Sequence, residues 1–147
     1  MSSMNPFEIL LNGCQILDPL MNSCGFTFIE RASGKSSGGN FASGEYIKDD
    51  RRLELHFRHS LGLVTYHISD LSLSHESYMR ALLGLNGGNK YPGFSNDPLD
   101  AFRGLSYDLE HYCSDFLKGS GEEFKRCVVK AREQEKVSGF KALSKVD

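Results

Sequence analysis

Glu54, His56, Arg58 and His67 are the side chains of this chain best placed to do chemistry together. They recur at alternate positions of two segments, RLELHFRHS and LVTYHIS, that flank Leu61-Gly62. Alternation of apolar and polar residues predicts a β-hairpin over Arg51–Ser69 with one apolar face and one polar face. With Leu61 and Gly62 as a two-residue turn, Ser60 stands opposite Leu63. The register then brings His56 opposite His67, Arg58 beside Thr65 and Phe57 beside Tyr66. Leu53, Leu55, Phe57, Val64, Tyr66 and Ile68 share the core face, and Glu54, His56, Arg58, Thr65 and His67 share the other. Two imidazoles and a carboxylate suit a divalent transition metal or acid–base chemistry. The set lacks a closing ligand, since the alternation turns His59 to the core side and His75 and His111 fall on predicted helices. A solvated or partner-binding face is therefore the favoured expectation, and no metal or other cofactor is predicted.

Other motifs carry less. Gly34-Lys-Ser-Ser-Gly-Gly39 contains the Gly-Lys-Ser end of a phosphate-binding loop, but Ile29 stands where the first glycine belongs. The segment also leads into a strand, whereas a phosphate cradle aims backbone N–H groups from a helix N-terminus. A hairpin loop is the better reading. No G-x-S-x-G, H-E-x-x-H or kinase-like set occurs, so no nucleophile, base and orienter can be assembled. Asp97 leads into a helix that carries Asp100, Asp108, Glu110 and Asp115 at positions read as exposed, a candidate acidic contact for a partner. The last helix mixes Lys125, Arg126, Lys130, Arg132 and Lys136 with Glu122, Glu123, Glu133 and Glu135. Interrupted positive charge makes a poor phosphate track.

Composition sets the frame. A chain of 147 residues is the size of one domain, and its 10 Phe and 6 Tyr can fill a core without Trp. The net charge of −2 gives no overall attraction to nucleic acid or an anionic membrane. Cys14, Cys24, Cys113 and Cys127 form no C-x-x-C pair, and buried thiols in a reduced cytosolic chain account for them. The N-terminus MSSMNPFEILLNGC has no basic segment, and the longest apolar run is short of the roughly 20 residues a membrane helix needs. A cytoplasmic protein that does not span a membrane is expected.

The elements that position the hairpin follow from periodicity and punctuation. Asn5-Pro6-Phe7-Glu8 is a helix start, followed by the stripe Phe7, Leu10, Leu11, Cys14 and Leu17, a kink at Pro19 and a stop at Gly25. Phe26–Ser33 and Phe41–Lys48 read as strands, and Asp49-Asp50 turns into the hairpin. Ser74 caps a short helix that ends at Gly87-Gly88, and Tyr91-Pro-Gly-Phe94 is a stiff aromatic loop. Asp97-Pro98 starts a helix whose stripe of Leu99, Phe102, Leu105, Leu109, Tyr112, Cys113 and Phe116 continues to Gly119. A last helix begins near Gly121. The expectation is one α+β domain over residues 1–147: an N-terminal helix, a four-stranded antiparallel β-meander and three C-terminal helices packed on the sheet, with 1–4 and 140–147 frayed.

This order, with GKSSGGNFASGEY, RRLELHFRHSLGLVTYHI and YPGFSNDPLDAFRGLSYDLEHY, resembles small bacterial immunity proteins encoded beside polymorphic or contact-dependent toxins. The resemblance implies a cytosolic, non-catalytic inhibitor that binds a toxin domain and blocks its active site or substrate groove. Toxin-contacting residues do not transfer between such families. The expected function is therefore a protein-binding module that neutralises a toxin, with Glu54, His56, Arg58, His67, Asp97, Asp100 and Asp108 as candidate contacts. The alternative is a small enzyme or a ligand- or metal-binding protein that uses His56 and His67. A homo-oligomer is a third class.

Overall fold

The computed structural model describes residues 5–36, 39–85, 87–93 and 95–144. Helix α1 (Pro6–Ser23) starts as its sequence dictates: Asn5 Oδ1 accepts the Glu8 N–H at 2.9 Å, and Pro6, which has no N–H to satisfy, takes the first turn. Pro19 lies inside the helix without ending it, and Gly25, at φ +90°, supplies the left-handed step into the sheet.

Among the described residues five strands follow, each paired with the next in sequence: β1 (Thr27–Ser36), β2 (Gly39–Lys48), β3 (Arg51–Phe57), β4 (Leu61–Ile68) and β5 (Leu71–Ser74). Links this short permit only antiparallel pairing. The strand beyond the predicted four is the piece LSLS, with Leu73 buried and Ser72 and Ser74 exposed, joined to β4 across Ser69-Asp70. The loop expected over 34–39 is shorter than predicted, because the strands run to Ser36 and resume at Gly39; Ser37 and Gly38 lie outside the described residues.

Among the described residues four helices follow the sheet where three were expected: α2 (His75–Leu83), α3 (Asp100–Tyr112), α4 (Ser114–Lys118) and α5 (Glu122–Ser144). α2 is capped by Ser74 as predicted but ends at Gly84, φ +78°, ahead of Gly87-Gly88. The stripe read as one helix breaks at Cys113, φ −110° and ψ 26°, and groups from elsewhere take the carbonyl oxygens where α4 ends. Arg51 Nη1 donates to the carbonyls of Asp115 and Phe116 at 2.9 and 2.7 Å, Arg51 Nη2 to that of Gly119 at 2.6 Å, and Lys48 Nζ to that of Leu117 at 2.8 Å. The Asp115 carboxylate then accepts the N–H groups of Gly121 and Phe124 at 3.1 and 3.0 Å, which starts α5. Of the ends expected to fray, 1–4 and 145–147 lie outside the described residues, and 140–144 belong to α5.

One core lies between the inner sheet face and the helices. Tyr46, Leu53, Leu55, Phe57 and Tyr66 meet Leu10, Leu17 and Met21 of α1, Phe102 and Leu105 of α3, Phe116 of α4 and Phe124 of α5. Phe26 stacks on Phe116 with ring centroids 5.7 Å apart. α1 and α3 touch so closely that a Cβ added to Gly13 would stand 2.4 Å from the Phe102 ring.

The hairpin keeps its predicted faces and changes its register. The turn occupies residues 58–60, closed by the Arg58 N–H on the Ser60 carbonyl at 3.1 Å, and Leu61 is already in β4. His56 consequently stands opposite Leu63 and His67 opposite Arg52, while Phe57 meets Leu61 across a bulge. From Arg51 to His56 each partner moves by an even number of positions, so these strand residues keep their faces, and the bulge at Phe57 leaves Phe57 and Leu61 both on the core face. His59 lies exposed in the turn instead of facing the core.

Candidate functional site

The helices cover one face of the sheet. The other carries the alternate residues of each strand, and among the described residues none of those in the row Ile29, Glu45, Glu54, Thr65 and Ser74 joins the core. Two of the predicted site residues meet there: His67 Nε2 lies 2.8 Å from Glu54 Oε1. The other two meet through a ring that sequence reasoning passed over. His56 stacks on Phe41 of β2 with centroids 5.6 Å apart and planes 6° apart, and the Arg58 guanidinium lies 5.9 Å from the centre of the same ring. The expected His56–His67 pair is absent, because the two histidines face different partners across the β3–β4 ladder. Among the described residues no three of His, Cys, Asp and Glu gather as a metal-holding group.

A third cluster on this face was also missed. Glu45 Oε1 accepts Arg31 Nε at 2.5 Å and pairs with Arg31 Nη2, and Glu45 Oε2 accepts Arg52 Nη1 at 3.0 Å. The carboxylate is 5% exposed, whereas the Arg31 and Arg52 side chains are 51% and 42% exposed. Alternation continued from the hairpin into β2 puts Glu45 beside Glu54, which is the signal that could have found it. Arg31 is hidden from such reasoning, because the β1–β2 register slips between Glu30 and Ala32.

Of the acidic candidates Asp97, Asp100 and Asp108, the first two lie at the surface as expected and the third does not. Asp97 and Asp100 share Arg103, which lies 3.3 Å from Asp97 Oδ2 and also pairs with Asp100 Oδ1. A hydrogen bond from Ser95 and the Arg103 contact hold Asp100 below the ordinary carboxylate value. Asp108 is wholly buried and no surface contact at all. Its Oδ1 accepts the Lys90 N–H at 2.6 Å, and its Oδ2 accepts the Tyr91 N–H at 2.9 Å and lies 2.8 Å from His75 Nε2. Its position was informative: three residues after Leu105 and next to Leu109, Asp108 falls on the apolar stripe of α3.

Asp108 completes a buried chain. His75 Nδ1 lies 2.7 Å from the Tyr66 hydroxyl, which accepts from Cys113 Sγ at 3.7 Å. The connectivity Tyr66–His75–Asp108 is that of a nucleophile, base and orienter, yet the Tyr66 side chain is 0% exposed and burial drives its phenol well above 10.0. No substrate atom can reach that hydroxyl. His75 does line a cavity of about 630 Å³ with Leu61, Val64, Met79 and Tyr91. The Tyr91 hydroxyl donates to the Leu61 carbonyl, and with Asp108 this fastens the 89–92 loop to β4 and α3. The network is an anchor.

No protein-family model, curated protein or solved structure matches this chain. What the molecule offers is an uncovered sheet face bearing ordered cations, imidazoles and an aromatic ring, and no helix long and apolar enough to cross a membrane among the described residues.

Proposed function

We propose that this chain is a non-catalytic protein-binding module of the immunity type, which neutralises a bacterial toxin domain by covering it with the open sheet face. The observation that carries this reading is the Phe41, His56 and Arg58 stack on that face. Aromatic and arginine side chains supply most binding energy at protein interfaces, and here they are held in place before a partner arrives. Glu54 and His67 extend the contact, and Asp97 and Asp100, already shared with Arg103, stay outside it. The alternative, a small enzyme or a ligand- or metal-binding protein using His56 and His67, draws less support, because the two imidazoles stand opposite Leu63 and Arg52 and not opposite each other. The toxin as target rests on the resemblance of layout and segments.

The test is capture of the partner by a photo-crosslinking residue at Ser43, on the open face, with Arg126 on α5 as the control position. The reading expects one protein captured from host cells at Ser43 alone, toxic when expressed by itself and harmless when co-expressed with this chain. Capture only at Arg126, or a captured protein with no toxicity for this chain to relieve, would contradict it.

A further inference from the structure

We propose that the open sheet face receives an acidic segment of its protein partner, whose carboxylates seat on the guanidinium groups of Arg31 and Arg52. This deepens the protein-binding reading and rests on it. The argument is one of charge placed by depth. Two guanidiniums converge on one carboxylate, and that carboxylate is 5% exposed beneath cations exposed by 51% and 42%. An approaching surface therefore meets the cations and not the anion, although the chain as a whole carries −2.

A guanidinium has five N–H donors, and Glu45 engages Nε and Nη2 of Arg31 and Nη1 of Arg52. Donors remain on both for carboxylates arriving from outside, the geometry in which arginine binds best. Glu45 also fixes both side chains in advance, so their ordering is not a cost of association. The cationic area is bounded by Glu54, which is half exposed and engaged by His67. That boundary favours a short carboxylate-bearing segment over a nucleic-acid backbone, which needs a longer run of unopposed positive charge.

The intact chain is titrated with hexaglutamate while the Arg31 and Arg52 Nε–Hε signals are followed by NMR, with hexalysine and a single-stranded hexathymidylate as comparisons. The expected result is a saturable shift of both arginine signals by hexaglutamate alone, weakened about threefold or more when ionic strength is raised from about 0.05 to about 0.3 M. The backbone N–H signals of β1–β3 that move with them in the unaltered chain should stay in place in Arg31→Gln/Arg52→Gln and equally in Arg31→Gln/Glu45→Gln/Arg52→Gln, which leaves no buried unpaired charge to unfold the sheet. Unmoved arginine signals in the unaltered chain, backbone N–H shifts that survive the triple substitution, or tighter binding of the oligonucleotide would each overturn the proposal. Hexaglutamate failing while Ser43 still captures a protein would remove the acidic segment and leave the binding face standing.

Discussion

The buried carboxylate of Asp108 holds three partners, the N–H groups of Lys90 and Tyr91 and the imidazole of His75. Truncating it strands all three, so Asp108→Ala is expected to cost about 3 kcal/mol or more in urea unfolding, the range for breaking a buried polar network. Asp100→Ala, on the same helix, is expected to leave the unfolding midpoint near that of the unaltered chain. Equal effects would contradict the anchor reading. Burial raises the thiols of Cys14 and Cys113 from 9.0 to about 12 and the Tyr91 phenol from 10.0 to about 12. These groups stay protonated in the folded chain while the unfolded chain ionises between about pH 9 and 12, so the unfolded state binds fewer protons and stability falls as pH rises through that window. Thermal midpoints measured at pH 8 and 10.5 should decline, and at pH 8 iodoacetamide should label Cys24, the half-buried thiol, before Cys14 or Cys113. A flat profile with even labelling would contradict it. Composition cannot separate Asp108 from Asp100, because depth depends on which helix face is covered; only the position of Asp108 on the stripe of Leu105 and Leu109 tells them apart.

The elements hold each other through polar groups at their ends as much as through the core. Arg51, on β3, supplies donors to three carbonyls of the α4 segment. Arg51→Ala is expected to lower stability by about 2 kcal/mol, and Lys, with a point charge instead of a fork, should recover only part of it. Gly13→Ala gives a sharper test, since in an open helix it would stabilise by up to about 1 kcal/mol. Here the new methyl would fall 2.4 Å from the Phe102 ring, and the expected outcome is destabilisation by about 1–3 kcal/mol, read by chemical denaturation. The cap of α1, the cap of α2 and the faces of β3 and β4 were legible because each depends on residues close in sequence. The β3–β4 register was not. The turn at 58–60 carries no glycine or proline, while Leu61-Gly62 mimicked a turn and proved to be strand and bulge. β5 was too short for its alternation to stand out, and the end of α4 is held by Arg51 and Lys48, distant in sequence.

The whole molecule is a five-stranded meander with helices on one face, and the asymmetry of that arrangement makes the other face its candidate working surface. The polar residues of the hairpin were legible as a surface, but their grouping was not. It depends on Phe41, Arg31 and Glu45, which belong to β1 and β2 and join Arg52, His56 and Arg58 only through sheet pairing. The surface is therefore specific in three dimensions and diffuse in sequence. The central claim, that this face binds a protein partner, is tested most directly by calorimetric titration of the captured partner against three forms of the chain: unaltered, His56→Ala/Arg58→Ala and Asp97→Ala/Asp100→Ala. The expected result is affinity weakened by about tenfold or more, about 1.4 kcal/mol, in the first double variant with its thermal midpoint unchanged, and affinity retained in the second. Full affinity in His56→Ala/Arg58→Ala, with the loss in Asp97→Ala/Asp100→Ala instead, would contradict the account.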